Sequence, residues 1–92
     1  ADHTVREVAA VPRPPWAGKS KAERVVAVDG QAFVAYGASG VQVVDITDPQ
    51  RAADTNVRVD VRSGYAYAMA LDDNRLFIAA GDPGLLVYNV AN

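Results

Sequence analysis

The sequence lacks residues that small proteins commonly use to stabilise a fold or to build a catalytic site. It contains no cysteine and a single histidine, His3. Without thiols the chain can form neither a disulfide nor a thiolate zinc site. It also has no motif of a zinc hydrolase, an activated nucleophile or a phosphate-binding loop. We therefore expect no metal, no cofactor and no catalytic residue, and we expect His3 to be solvated near the terminus.

Long apolar runs and an excess of basic residues are also missing. No segment approaches the roughly 20 apolar residues of a transmembrane helix, so we expect no membrane span. Nine basic and eleven acidic side chains give a net charge of -2, which argues against a nucleic-acid-binding surface. The composition is globular, with 50% hydrophobic residues in a chain of 92. Because so short a chain buries only a small core, assembly is the remaining source of stability.

The apolar residues are distributed as in β-strands. Short apolar runs over 24–28, 32–36 and 41–46 are separated by turn signals, of which Asp29-Gly30 is the preferred dipeptide of a type I′ hairpin. Residues 57–62 alternate valines with charged residues, which is typical of a strand with one exposed face. No useful stretch keeps the 3.6-residue period of an amphipathic helix. The pattern predicts an all-β fold.

The same pattern recurs further along the chain. The second set of runs covers 65–71, 76–80 and 85–90. Gly37 and Gly40 reappear 44 residues later as Gly81 and Gly84. Ahead of the hairpin turn the spacing falls to 43, which predicts a second turn that is one residue longer. A repeat of this length is typical of β-propeller blades, and a small antiparallel sandwich is the alternative.

The segment that begins at Gly40 resembles a known repeat. Residues 40–49, Gly-Val-Gln-Val-Val-Asp-Ile-Thr-Asp-Pro, are similar to the LVIVD repeat of bacterial and archaeal β-propellers. Residues 63–66, Ser-Gly-Tyr-Ala, match the lead-in to the inner strand of that family, and residues 81–90 are a looser copy with Asn89 in place of aspartate. The resemblance implies a propeller, often on exported or cell-surface proteins, and it supplies no catalytic motif.

The number of strands predicts how the chain is organised. We expect residues 24–62 to form one four-stranded blade and residues 63–92 a second blade that lacks its outer strand. Residues 1–11 form a further strand, which would complete the second blade of a neighbouring copy, and residues 12–23 form a loop with proline and tryptophan. Two blades cannot close a propeller. We therefore expect oligomerisation to complete it, with six blades as a trimer or eight as a tetramer; a fragment of a longer propeller is the alternative.

The predicted contact between copies is a strand pairing. It would cover an apolar strand edge that is otherwise an aggregation hazard, and it is a head-to-tail contact. The residues expected in this oligomer interface are Val5, Val8, Val11, Leu85, Val87 and Val90.

The loops that gather on one face of a propeller form its default ligand site. The candidate ligand-binding residues there are Trp16, Arg24, Ser39, Tyr65, Tyr67 and Asp82. Under the 43-residue spacing, Tyr65 and Tyr67 take the places of Ala22 and Arg24. Aromatic and cationic groups suit a saccharide or an anion, whereas packing between blades is the alternative role of these aromatic residues.

These features predict a self-assembling homo-oligomer that acts as a binding or interaction scaffold for a protein or saccharide ligand. The alternatives are a carbohydrate-binding propeller and a subunit of a larger propeller enzyme with its pocket on the loop face. Since no acid–base pair is evident in the sequence, we favour the scaffold over the enzyme.

Overall fold

A computed structural model describes residues 4–90 and shows an all-β protein with two antiparallel sheets. The first sheet consists of β1 (Arg24–Val28), β2 (Gln31–Ala35), β3 (Val41–Asp45) and β4 (Ala53–Val59), in that order. The second consists of β5 (Ala68–Asp72), β6 (Arg75–Ala79) and β7 (Leu85–Asn89). The remaining elements are single 3-10 turns at Pro15–Ala17, Gly37–Ser39 and Pro49–Arg51. Within residues 4–90 no helix could cross a membrane, and His3 lies outside this range.

The second sheet repeats the first at a constant spacing. β1 begins at residue 24 and β5 at residue 68, and the same 44-residue spacing separates β2 from β6 and β3 from β7. Backbone hydrogen bonds repeat as well: the N–H of Tyr36 donates to the carbonyl of Gly40, and that of Ala80 donates to Gly84, both at 2.8 Å. Three strands of each sheet are therefore copies of one unit.

The prediction of a longer second hairpin turn is wrong. Val28 pairs with Gln31 and Asp72 pairs with Arg75, so each turn contains two residues. Asp72 belongs to β5, and only Asp73-Asn74 reverses the chain. The spacing of 44 residues thus holds on both sides of the turn, and the 43-residue alignment of the tyrosines with Ala22 and Arg24 fails.

The first hairpin turn also departs from the predicted type I′ geometry. That turn needs positive φ at both central residues, but only Asp29, at 53°, has it. Gly30 is needed for space, because a Cβ atom there would lie 2.7 Å from the hydroxyl oxygen of Thr47. Asp73 repeats the geometry of Asp29, with φ of 59°.

The outer strand of the first sheet starts earlier than the sequence predicts. β4 covers residues 53–59, not 57–62, because a β-bulge opposite Val43 and Val44 lets the strand continue. Asn56 adopts a left-handed φ of 65°, which asparagine tolerates better than most residues. The Thr55 hydroxyl donates to the carbonyl of Val43 at 2.7 Å. A pattern of alternating valines and charges carries no sign of this irregularity.

The two sheets pack face to face around one apolar core. Val26, Phe33 and Val43 are cross-strand neighbours on one face of the first sheet. They belong to the same cluster as Met69, Ile78 and Leu86 of the second sheet, which are likewise neighbours on one face. The edge strands β1 and β5, which are the first strands of the two sheets, lie against each other. Removal of this apolar area from water stabilises a chain that has no covalent cross-link.

The segment between the sheets is hydrogen-bonded to both of them. The N–H of Tyr65 donates to the carbonyl of Ala80 in the second repeat, and the N–H of Ala66 donates to Gly37 in the first, each at 3.0 Å. Gly64 precedes them at a point where the backbone passes close to Ala80 and Pro83. A side chain at Gly64 would collide with the carbonyl oxygen of Ala80 and with the ring of Pro83.

We predict that Gly64→Ala destabilises the protein by about 1–3 kcal/mol, because the added methyl group meets backbone that cannot move aside. Ser63→Ala, at an exposed neighbour in the same turn, is the control and should stay within about 0.5 kcal/mol of the parent. Urea unfolding followed by circular dichroism measures both. Equal stability of the two variants would contradict the close packing at Gly64.

Candidate functional site

The most distinctive polar surface surrounds Tyr65, at the end of the molecule where β2 and β6 finish. The Tyr65 ring covers Gly37, and a Cβ atom on that glycine would lie 2.7 Å from the ring. Gly37 also has a left-handed φ of 55°, so glycine is favoured here for two reasons. The ring of Tyr67 lies beside that of Tyr65, with centroids 4.7 Å apart and planes inclined by 37°.

The Tyr65 hydroxyl donates a hydrogen bond to the Glu23 carboxylate. This bond raises the pKa of Tyr65 above its ordinary value, and partial burial and the negative charge of Glu23 act in the same direction. The bond therefore holds the phenol in its neutral form and fixes the position of its ring. It joins the segment between the sheets to the residue that precedes β1.

Three shallow depressions share Tyr65 as a wall. One of about 270 Å³ is lined by Glu23, Arg24 and Tyr67. A second, of about 210 Å³, lies on the other side and includes Tyr67 and Asp82. The third, of about 250 Å³, includes Lys19 and Lys21. The structure thus brings four of the six predicted ligand-binding residues, Arg24, Tyr65, Tyr67 and Asp82, around one surface.

The other two predicted ligand-binding residues lie elsewhere. Trp16 packs edge-on against Tyr36, with ring centroids 5.9 Å apart, and the Arg58 guanidinium lies 4.9 Å from the centre of its indole. Ser39 holds the same loop, because its hydroxyl donates to the carbonyl of Ala17 at 3.2 Å and bonds to Ser20 at 2.7 Å. These contacts pack Trp16 and Ser39 around the turn between β2 and β3.

Glu23 is the residue of this surface that the sequence interpretation missed. Under the correct 44-residue spacing it is the counterpart of Tyr67, and their N–H groups make equivalent bonds to Ala35 and Ala79. A correct alignment of the repeats would therefore have placed Glu23 next to the tyrosines. The wrong spacing aligned Arg24 with Tyr67, and although Arg24 does line the same depression, it is not the residue that bonds to Tyr65.

The predicted interface residues differ in their exposure. Val5 is 99% exposed and Val8 48%, and both lie in a segment that forms no strand within the described chain. Leu85 and Val87 are 63% and 50% exposed on the outer face of the second sheet. Val11 is half-buried, and Val90 packs partly against the core. The predicted pairing needs a second copy and stays a prediction.

A further cavity lies beside the edge of β7 that has no partner strand within residues 4–90. Its volume is about 520 Å³, and its walls are the inner side of the first sheet and the end of β7. The apolar part of the lining is Phe33, Val43, Val57, Val59, Tyr88 and Val90. The Tyr88 hydroxyl donates to the carbonyl of Asp60 at 2.7 Å and ties the two sheets together here. An apolar cavity of this kind accepts hydrophobic side chains and contains no catalytic pair.

The chemistry of the tyrosine surface is that of hydrogen bonding and aromatic contact. Within residues 4–90 no three acidic or histidine side chains converge on a point that could hold a metal. The pKa of Asp45 is lowered by hydrogen bonds from Thr47, but this residue ends β3 at the opposite end from the tyrosines. No protein-family model, curated protein or solved structure matches the chain.

We predict that Glu23→Gln lowers the pKa of Tyr65 towards the ordinary value of about 10, since the acceptor loses its negative charge. Because the pKa of Tyr65 is higher in the folded protein than in the unfolded chain, its protonated form stabilises the fold at lower pH. This stabilisation is lost as the pH rises through the pKa of Tyr65 in the folded protein. Ultraviolet titration of tyrosinate measures the pKa, with Tyr65→Phe identifying the signal. Asp82→Asn is the control and should leave it unchanged; an unchanged pKa in Glu23→Gln would refute the role of the bond.

Proposed function

We propose that this chain is a self-assembling subunit of a ring of sheets, and that the ring acts as a binding or interaction scaffold. The observation that carries the proposal is the outer face of the second sheet. In the repeat, each residue of this outer face corresponds to the residue 44 positions earlier in the chain. Those earlier residues form the face of the first sheet that packs in the core. The six outer residues are Ala68, Ala70, Phe77, Ala79, Leu85 and Val87.

This outer face has no cover within the described chain. Phe33 is fully buried between the sheets and Val43 is 6% exposed, whereas their counterparts are a half-buried Phe77 and a Val87 that is 50% exposed. A contiguous apolar face left in water favours association. The face matches one that already packs against a sheet, so a further sheet is the partner it fits.

The repeat also supports a choice of the surface that the partner would offer. The second-sheet residues in the core, such as Met69 and Ile78, are counterparts of Val25 and Val34 on the opposite face of the first sheet. On this face Val25 is 63% exposed and Val34 is half-buried, whereas Ala32, Gln42 and Val44 are covered within the chain, so the open part of the face lies towards β1. The outer face of one chain would therefore pack on this opposite face of a second chain. Such a contact is heterologous, and it closes into a ring if the rotation between copies permits.

A ring of this kind corresponds to a β-propeller, with two blades supplied by each chain. Four to eight blades close such a ring, which favours a trimer with six blades, followed by a tetramer with eight. The similarity of residues 40–49 to the LVIVD repeat supports the same assignment. We assign a scaffold function because the polar surface around Tyr65 offers contact groups and no arrangement for bond cleavage.

We predict that light scattering gives a solution mass of three or four chains, and that Val87→Lys shifts it towards the 9.7 kDa of one chain. The lysine would place a charge at the centre of the proposed contact, where its desolvation is costly. Gln50→Lys adds the same charge on an exposed turn and should leave the mass unchanged. A monomeric parent protein would refute the proposal.

A saccharide ligand is a second candidate function, favoured by the adjacent rings of Tyr65 and Tyr67. Tyr67 is 58% exposed, and an exposed aromatic ring beside hydrogen-bonding groups suits a sugar surface. We predict that Tyr67→Ala weakens binding on a glycan array roughly tenfold, with Gln50→Ala as the control. Absence of binding by the parent protein would exclude this candidate.

A further inference from the structure

The second sheet is incomplete compared with the first. In the first sheet β4 pairs with β3, and Val57 and Val59 of β4 lie opposite Val43 and Val41. The equivalent edge of the second sheet is the outer side of β7, which pairs with β6 alone within residues 4–90. The N–H and C=O groups along that side are therefore open to another strand.

The cavity of about 520 Å³ lies where side chains of such a strand would pack. It is bounded by β4, which extends beyond the width of the three-stranded second sheet, and by Tyr88 and Val90 at the end of β7. Val57, on its wall, is 52% exposed although it belongs to the inner face of the first sheet. A strand added to β7 would cover this wall.

The chain contains a segment that suits this position. Residues 4–11, Thr-Val-Arg-Glu-Val-Ala-Ala-Val, join neither sheet and expose Val5 and Val8. Successive side chains of a strand point to opposite faces, so Val5 and Val8, three residues apart, would lie on different faces of this segment if it formed a strand. β4 has its valines on one face, with Val57 and Val59 towards the core, and the face of the segment with Val5, Ala9 and Val11 would take the same place in the second sheet.

The order of the elements indicates which sheet the segment completes. β4, the fourth strand of the first sheet, directly precedes β5, the first strand of the second. In the same way, a strand that comes before β1 in the chain would be the fourth strand of another sheet, the one that packs on the face of the first sheet opposite the core. In the head-to-tail arrangement proposed above, that sheet is the second sheet of a neighbouring chain.

We infer that residues 4–11 form the fourth strand of the second sheet in a neighbouring copy, paired with β7 and covering the cavity beside it. The inference rests on the proposed self-assembly and names the segment that links one copy to the next. The partner is a second copy of this chain, and the linkage combines backbone hydrogen bonds with apolar side chains in the cavity.

The test compares Val8→Pro with Val8→Thr in the full chain. Proline removes a backbone N–H and disrupts a central strand, whereas threonine keeps the N–H and a β-branched side chain. Because Val8 is half exposed and outside both sheets, neither change disturbs the fold of a single chain. We expect Val8→Pro to raise the concentration at which the assembly dissociates at least tenfold, and Val8→Thr to change it less than threefold.

Hydrogen exchange locates the effect. In the assembled parent protein the amides of Leu85, Val87 and Asn89, which point away from β6, should be protected, and in Val8→Pro they should exchange at least tenfold faster. The amides of Leu86 and Tyr88, which bond to β6, are the internal control and should change little. An assembled parent whose mass and β7 exchange are both unaffected by Val8→Pro would overturn the strand assignment and leave self-assembly standing. A parent that stays a single chain would refute self-assembly itself.

Discussion

Every other feature of this protein depends on the packing of its two sheets against each other. Phe33, Leu76 and Ile78 are fully buried in that contact, and within residues 4–90 no disulfide or metal cluster supplements them. The same packing holds the intervening segment between the carbonyls of Gly37 and Ala80 and thereby brings Tyr65 over the first repeat. The polar surface is thus a consequence of the core.

The repeat relates the internal contact to the contact proposed between chains. One face of each sheet packs inside the chain. The counterpart face of the second sheet is exposed, whereas the counterpart face of the first sheet is buried at Ala32, Gln42 and Val44 and exposed at Val25. Large apolar areas exposed on a single chain are a liability unless a partner covers them. The proposed self-association would cover the outer face of the second sheet, whose residues are the counterparts of a face that already packs in the core.

Much of the architecture could be predicted from sequence, because strands follow from apolar runs and turns follow from glycine and aspartate. The register could not, since Asp72 fits a turn as well as a strand end and only backbone pairing decides between them. That one-residue error hid Glu23 from the predicted site. The surroundings of Trp16 could not be predicted either: its contacts with Tyr36 and Arg58 join residues far apart in sequence, and composition says nothing about them.

The identical two-residue hairpins have a consequence for how this architecture can change. Because β1 and β5 begin 44 residues apart and no turn alters that spacing, a tandem duplication of one unit would keep every strand in phase. The segment between β4 and β5 already supplies a workable covalent junction. Gene duplication would therefore lengthen the chain in steps of a single unit, with the turns and the packing between sheets that the chain already contains.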